Sequence, residues 1–412
     1  MSRCGNVWFR VTVLAVAVVL PTVAAACTGS NPAPSTSSPP ATPIPSATQH
    51  VTTSTPPPGP KWRELPQAPI EGRIGAGVVW TGKEMIVWGG VTREKRIEAA
   101  DDGGAYDPAT DSWRTLAPAP SGVLGDVGSA AAWTGKVAVF WAGNSPDGPA
   151  AGGIYDPKRD SWARLLDGPL GPREGYASVW TGKELLIMAG TSGDAYASPV
   201  GAGIDPRTRS WRLLSGLNRY PGMLVNGAIW EGHEVFLAGT LSLCPELGSS
   251  CQQRRPIFLS YDPAADRATE IDLRTSPHPG PRASRLTPIG WTGSNVLFVT
   301  RDASKVGVVT YDPSRGTWAA GQPAPCSIGT EGGAQMAWLD DQLAVSCDED
   351  RLLIYDPNAD AWKTIEAGRS VFNSADVSAV AWTGNELIVW SGLLNRVGNP
   401  TPDTGSIIAL GS

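Results

Sequence analysis

Short apolar runs, each ended by a tryptophan and a polar turn, follow one another from Lys61 to the last residue. Trp80, Trp133, Trp180, Trp230, Trp291, Trp338 and Trp382 close the runs GVVW, AAAW, ASVW, GAIW, PIGW, QMAW and AVAW. The spacing averages about 50 residues, a period that marks an internal repeat. A second apolar run follows each turn, as in MIVWGG after Trp80, LLIMAG after Trp180 and LIVWSG after Trp382. Val, Ile and Trp favour strands, and glycine or another small residue ends the run. The turn itself is nearly constant: Trp-Thr-Gly-Lys-Glu at 80–84 and 180–184, and Trp-Thr-Gly-Asn-Glu at 382–386. A lysine and a glutamate beside a glycine fit an active site or the tip of a tight hairpin. Repetition favours the tip, since one site does not need seven copies.

A third landmark is Tyr-Asp-Pro with tryptophan seven residues after the tyrosine: Tyr106 and Trp113, Tyr155 and Trp162, Tyr311 and Trp318, Tyr355 and Trp362. Ile204 with Trp211 loses the tyrosine, and Tyr261 with Ala268 loses the tryptophan. Asp-Pro after a strand starts a turn, because proline presets its backbone angle and aspartate bonds back to the chain. Each unit therefore reads as four antiparallel strands: a, tight turn, b, variable loop, c, Asp-Pro turn, d.

These landmarks resemble kelch repeats: an apolar strand, a glycine doublet (Gly89-Gly90), then tyrosine and tryptophan. The likeness fades in the fourth to sixth units, where the doublet becomes Ala238-Gly239, Thr300-Arg301 and Ser346-Cys347. The resemblance covers residues 61–412 and implies a β-propeller of the galactose oxidase-like architecture. The expected fold is all-β, a seven-bladed propeller. The seventh unit stops at its third strand, SIIALGS, while Lys61-Trp62-Arg63-Glu64-Leu65 matches Ser112-Trp113-Arg114-Thr115-Leu116. The N-terminal segment is thus expected to complete the last blade and close the ring. A closed ring has no open sheet edge, in keeping with a monomer.

Topology then sorts the connections. If strand a runs from face 1 to face 2, the a–b and c–d turns all lie on face 2, short and alike. The d–a and b–c connections lie on face 1 and differ from blade to blade. Function concentrates on variable loops held by a rigid scaffold, which makes face 1 the candidate surface. Two of its loops stand out: Val91 to Gly104, rich in mixed charge, and Thr240 to Pro256, with Cys244, Cys251, Arg254 and Arg255. Seven residues before each repeat tryptophan stand Arg73, Asp126, Arg173, Met223, Ser284, Glu331 and Ala375, with Arg219, Arg282 and Arg285 near the same level. The candidate binding rim is Arg73, Asp126, Arg173, Arg219, Arg282, Arg285 and Glu331, because a guanidinium fork suits a carboxylate. The competing reading ties the arginines to Asp126, Glu174 or Glu331 for structure alone.

Composition adds a location. Arg3 and Arg10, the apolar stretch Val11 to Leu20 and Ala24-Ala25-Ala26 read as a secretory signal peptide over residues 1–26. The small residues before Cys27 resemble the lipobox of bacterial lipoproteins, which implies lipidation of Cys27; an ordinary signal peptidase would cut the same bond. Thr28 to Pro60 holds ten prolines in 33 residues and little besides Ser, Thr and Ala. Such a segment cannot bury enough surface to fold, and at about 3.1 Å per residue it reaches roughly 100 Å. Residues 27–60 are therefore expected to form an anchor and tether, and 61–412 the propeller. Net charge is −6, and removal of Arg3 and Arg10 leaves 31 basic against 39 acidic residues, or −8. With no long basic run, nucleic acid is not an expected partner. Cys244, Cys251, Cys326 and Cys347 are an even set for an oxidising compartment, paired most simply between sequence neighbours.

Catalytic chemistry finds little support. Galactose oxidase-type copper needs two histidines, and of His50, His233 and His278 only His278 falls on face 1. No metal or cofactor is expected. Asp312-Pro-Ser-Arg-Gly-Thr-Trp318 has the glycine too late for a sialidase Asp-box. No Gly-x-Ser-x-Gly, P-loop or dinucleotide fingerprint occurs in a strand-to-helix context. The expectation is an extracytoplasmic, lipid-anchored, non-catalytic binding module for a protein, peptide or carbohydrate. The alternative is an extracellular carbohydrate-active enzyme using the same face.

Overall fold

The computed structural model describes residues 61–410 except 93–97, 122, 124, 126–128, 144–150, 192–199, 245–252, 279–284, 303–304, 327–334, 347–350, 367–376 and 392–404. The anchor and tether expected over residues 1–60 lie outside them. Seven four-stranded antiparallel sheets follow one another as blades of a β-propeller. Blade 1 shows the pattern: a is Gly77–Trp80, b Met85–Trp88, c Gly103–Asp107 and d Ser112–Thr115. Each innermost strand touches both neighbouring innermost strands, the seventh touching the first, so the ring is closed.

Closure happens as the sequence implies. Blade 7 takes Val377–Trp382, Glu386–Ser391 and Gly405–Ala409 from the C-terminal end and Lys61–Glu64 from the N-terminal end. Trp62 pairs with Ile408 and Arg63 with Ile407, in the same register in which Trp113 pairs with Tyr106 in blade 1. The seam to blade 1 is tied as well. Trp113 Nε1 donates to the Pro66 carbonyl at 3.0 Å, and Arg63 donates to the Tyr106 hydroxyl at 2.8 Å.

Burial explains why the b runs are continuously apolar while the a runs alternate. Strand b lies mid-blade and packs on both sides against neighbouring blades, and Met85 to Trp88 are wholly buried. Strand a faces the channel with every second residue. The core is seven layers, one at each blade junction. One joins Ile388, Trp390 and Ile407 of blade 7 to Met85, Val87 and Tyr106 of blade 1.

The constant turns are structural devices. Thr81, Thr134, Thr181, Thr292 and Thr383 accept through Oγ1 from the backbone N–H three residues on, at 2.8–3.0 Å. In blade 4 Glu231 Oε1 does the same for Glu234 at 2.5 Å and also accepts from the His233 N–H at 2.8 Å. Gly82, with φ of 85°, has nothing within 4 Å of where a Cβ would stand, so only its backbone angle demands glycine. In the Asp-Pro turns Asp107 accepts from the Ala109 N–H, and Asp156 from that of Lys158. Asp111, Asp160, Asp266 and Asp360 then take the left-handed position at φ of 46–49°.

Candidate functional site

Strand directions put the a–b and c–d turns on one face and the b–c and d–a connections on the other. The described residues that flank these connections lie on face 1. Among the rim candidates Asp126, Arg282 and Glu331 lie outside the described residues, while Arg73, Arg173, Arg219 and Arg285 lie within them.

Arg73 and Arg173 do not face solvent: their relative exposures are 0% and 1%. Arg73 donates from Nε to the Glu71 carbonyl at 2.9 Å and from Nη1 to the Gly89 and Asp102 carbonyls at 3.2 Å. The same Nη1 meets the Asp102 carboxylate at 2.6 Å. Arg173 repeats the geometry one hundred residues on, donating to the carbonyls of Gly171, Ala189 and Val200. Each guanidinium thus caps strands b and c where their ladder opens at face 1, taking carbonyls that burial would otherwise leave unpaired. Burial pushes the Arg173 guanidinium down to about 10, so it remains charged at neutral pH. These two arginines hold the rim together from inside rather than presenting a fork to a ligand.

Blade 4 reaches a similar end from another strand. Buried Met223 stands where Arg73 and Arg173 stand, and Arg254 at the start of strand c donates to the Gly222 and Thr240 carbonyls. Sequence counting from the tryptophans missed Arg254 as a rim brace, because it belongs to the other side of the blade.

Arg219 and Arg285 are exposed. Arg219 lies over the Tyr220 ring, 5.8 Å from its centroid, at the passage from blade 3 to blade 4. Arg285 enters blade 5 and donates to the Arg301 carbonyl at 3.3 Å. Burial holds the guanidinium of Arg301 below its ordinary value. Exposed Leu243, in the b–c connection of blade 4, adds apolar surface to the same face. What the described part of face 1 offers is cations beside an isolated apolar side chain. Cys244 and Cys326 are each disulfide-bonded, and Cys251 and Cys347 lie outside the described residues. Among the described residues no group of three or more His, Cys, Asp and Glu side chains is arranged to hold a metal ion.

On face 2 the Lys-Glu pair of the constant turn is accounted for by packing. Glu84 accepts two bonds from Arg114, Nε to Oε1 at 3.1 Å and Nη2 to Oε2 at 2.8 Å, and Arg114 also donates to Tyr155 of blade 2. Glu184 with Arg212 and Glu386 with Arg63 repeat the pairing. Lys83 is exposed and pairs with Asp107 at 3.1 Å. No sequence model of a known family matches the chain, and no curated protein matches it.

Proposed function

We propose that the protein is a kelch-type propeller carried on a lipid-anchored tether at the cell envelope, acting as a non-catalytic binding module through face 1. One observation carries this reading. Strand c of blade 7 ends at Ala409 and strand d begins at Lys61, paired with it, so both ends of the described ring sit on face 2. A tether leaving Lys61 therefore departs from the uniform face and turns the variable loops away from the anchor. Cys27 is the lipid attachment point, behind a signal peptide over residues 1–26, and the disulfides are Cys244–Cys251 and Cys326–Cys347.

The ligand class that fits the described part of face 1 is a carboxylate-bearing protein or peptide segment. Arg219 and Arg285 supply charge, and Leu243 supplies apolar contact. The test is affinity capture from envelope extract with the mature chain, comparing Arg219→Glu/Arg285→Glu with the face-2 control Lys183→Glu. Loss of a captured component in the first and its retention in the second is the expected result. Equal capture by both would remove the site from face 1. Cys27→Ser is expected to shift the chain from the membrane fraction to the medium and to abolish incorporation of a labelled fatty acid.

A further inference from the structure

The blade junctions are not alike on face 2, and the one between blades 6 and 7, although bridged by the Trp382 indole N–H donating to Asp340 at 2.7 Å, leaves a cleft beside that bond. The cleft measures ≈ 530 Å³, with Trp362, Trp382, Asp340, Asp341, Lys363 and Leu410 in its walls. Its origin is topological. In blade 2 the c–d turn reaches back to the preceding blade through Asp160, which accepts from the Ala117 N–H at 2.9 Å. Asp266 and Asp360 do the same for Gly216 and Gln322. Blade 7 has no c–d turn, because its third and fourth strands come from opposite ends of the chain. Two further ties are missing here, as they are in part at other junctions, where Ala163 and Ala319 stand at the Arg114 position. Lys363 stands where Arg114 stands and Ile408 where Tyr155 stands, so the ion-pair relay has no counterpart. Trp113, Trp162, Trp211 and Trp362 each donate an indole N–H to the preceding blade, whereas the buried Nε1 of Trp62, like that of Trp318 in blade 5, has no partner.

We propose that this cleft is the docking groove of the chain's own tether, residues 52–60, laid in as an extended polyproline strand. Position is the first argument. Lys61 pairs with Ala409, and Leu410 lines the cleft, so the tether begins at the cleft's edge. Five residues of extended chain span at most about 18 Å, which keeps Pro56 within reach of the groove. Chemistry is the second. Thr52-Thr53-Ser54-Thr55-Pro56-Pro57-Pro58-Gly59-Pro60 offers proline rings and hydroxyls and carries no charge. The cleft offers indole surfaces for the rings, and as acceptors for hydroxyls the exposed carboxylate of Asp341 and the Asp340 oxygen that does not take the Trp382 indole N–H. Proline-rich strands dock in aromatic-lined grooves because their conformation is set in advance. Attachment is the third: a short flexible link gives an effective concentration in the mM range, so a groove too weak to hold a free peptide can hold this one. Docking fixes the tether's exit at blade 6 and sets the propeller's tilt over its anchor. It concerns face 2 alone and stands whether or not face 1 binds the proposed ligand.

Photo-crosslinking tests it. The full chain carries Thr55→p-benzoylphenylalanine, and isotopically heavy and light preparations are mixed before irradiation. The serine-substituted tether, Pro56→Ser/Pro57→Ser/Pro58→Ser, which leaves the propeller untouched, sets the undocked ratio of marking between the blade 6 turn Leu339–Gln342 and the blade 1 turn Asp107–Asp111. The unsubstituted tether is expected to raise that ratio about tenfold toward blade 6, the bias of one tenfold step in affinity, and only within one molecule. Asp341→Arg, at an exposed turn, is expected to return it to the undocked value. An unsubstituted ratio equal to the serine-substituted one, a ratio that Asp341→Arg leaves unchanged, or crosslinks joining heavy to light chains would each overturn the proposal.

Discussion

Arg114 of blade 1 donates from Nη1 to the hydroxyl of Tyr155 in blade 2 at 2.9 Å, and that hydroxyl donates onward to Asp160 at 2.5 Å. With Glu84 behind Arg114, four side chains form one relay across the junction. The relay recurs at blades 7 and 1, where Arg63 meets Tyr106 and Tyr106 meets Asp111. Desolvation and the bond to Asp160 push the Tyr155 hydroxyl up to about 12. The same bond holds the Asp160 carboxyl below the usual carboxylate range.

The signs give a pH prediction. A tyrosine raised in the folded state contributes stability that is complete below its unfolded value near 10 and is lost as pH climbs toward 12. An aspartate lowered in the folded state contributes stability above its unfolded value of about 3.9, lost as pH falls through the folded one. Tyr155→Phe should therefore flatten both limbs of the plot of melting temperature against pH, while lowering the neutral plateau. An alkaline limb unchanged in Tyr155→Phe would mean that the hydroxyl ionises as freely in the fold as out of it.

The Glu84–Arg114 pair should be worth about 1 kcal/mol of coupling in a double-mutant cycle, the upper end for partly exposed pairs because it is bidentate. Urea unfolding of Glu84→Gln, Arg114→Met and the double variant measures it. Lys83→Ala, at an exposed side chain, should stay within about 0.5 kcal/mol of the parent. A coupling near zero would leave the constant glutamate without the role given it here.

That glutamate shows how much of the molecule its sequence discloses. Blade number, strand order and ring closure were legible because tryptophan spacing repeats and Lys61–Leu65 copies Ser112–Leu116. The ion-pair relay was legible too, in co-variation within the chain. Arginine follows the d-strand tryptophan at 63, 114 and 212, and glutamate stands fourth after the a-strand tryptophan at 386, 84 and 184 in those blades. Tyrosine likewise meets aspartate five residues on at 106, 155, 261 and 355, whereas Ile204 meets Arg209; Tyr311 with Gly316, and Glu234 in a blade with Thr269 in place of the arginine, are exceptions. The burial of Arg73 and Arg173 was not legible. Counting from the tryptophans puts them at the channel mouth, but their depth depends on where strands b and c part and leave carbonyls open. The cleft was equally hidden, since it exists through the absence of one turn.

Arg73 separates bracing from binding. Arg73→Met removes the donor from the Glu71, Gly89 and Asp102 carbonyls and should cost about 3–5 kcal/mol, as breaking a buried charged network does. Arg219→Glu and Arg285→Glu, on exposed side chains, should each change stability by no more than about 0.5 kcal/mol. Thermal unfolding in parallel with ligand capture distinguishes the two kinds of arginine: the first loses fold, the second loses ligand.

Blade 3 carries backbone strain that blade 1 avoids. Ala189 holds φ of 63° where Gly89 holds 70° in blade 1. A left-handed alanine costs roughly 1–2 kcal/mol, so Ala189→Gly should raise stability by about 1 kcal/mol. The next residue behaves oppositely. Gly190 has φ of 86°, and an added Cβ would stand 2.9 Å from the Glu174 carbonyl oxygen, which sits on backbone that cannot give way cheaply. Gly190→Ala should destabilise by more than Ala189→Gly stabilises. Chemical denaturation of both variants reads the pair, and equal signs would contradict the assignment of strain.

Closure of the ring by Lys61–Glu64 makes the whole propeller depend on four residues from the far end of the chain. Trp62 packs in the layer with Ile354, Ile365 and Leu387, and Arg63 meets Asp111 at 2.5 Å and Glu386 at 3.7 Å. Trp62→Ala should cost about 3 kcal/mol, the low end for a large aromatic because the ring is only half buried. Deletion through Glu64 should do more than subtract those contacts. It exposes the ladder edge of Gly405–Ala409, an unpaired strand that invites pairing with another chain. The deleted protein is therefore expected to lose its single cooperative transition and to elute partly as dimers and larger species, whereas Trp62→Ala remains a monomer. Scanning calorimetry with size-exclusion chromatography measures both outcomes, and a truncated chain that stayed monomeric with an unchanged melting temperature would show that the ring does not close through this strand.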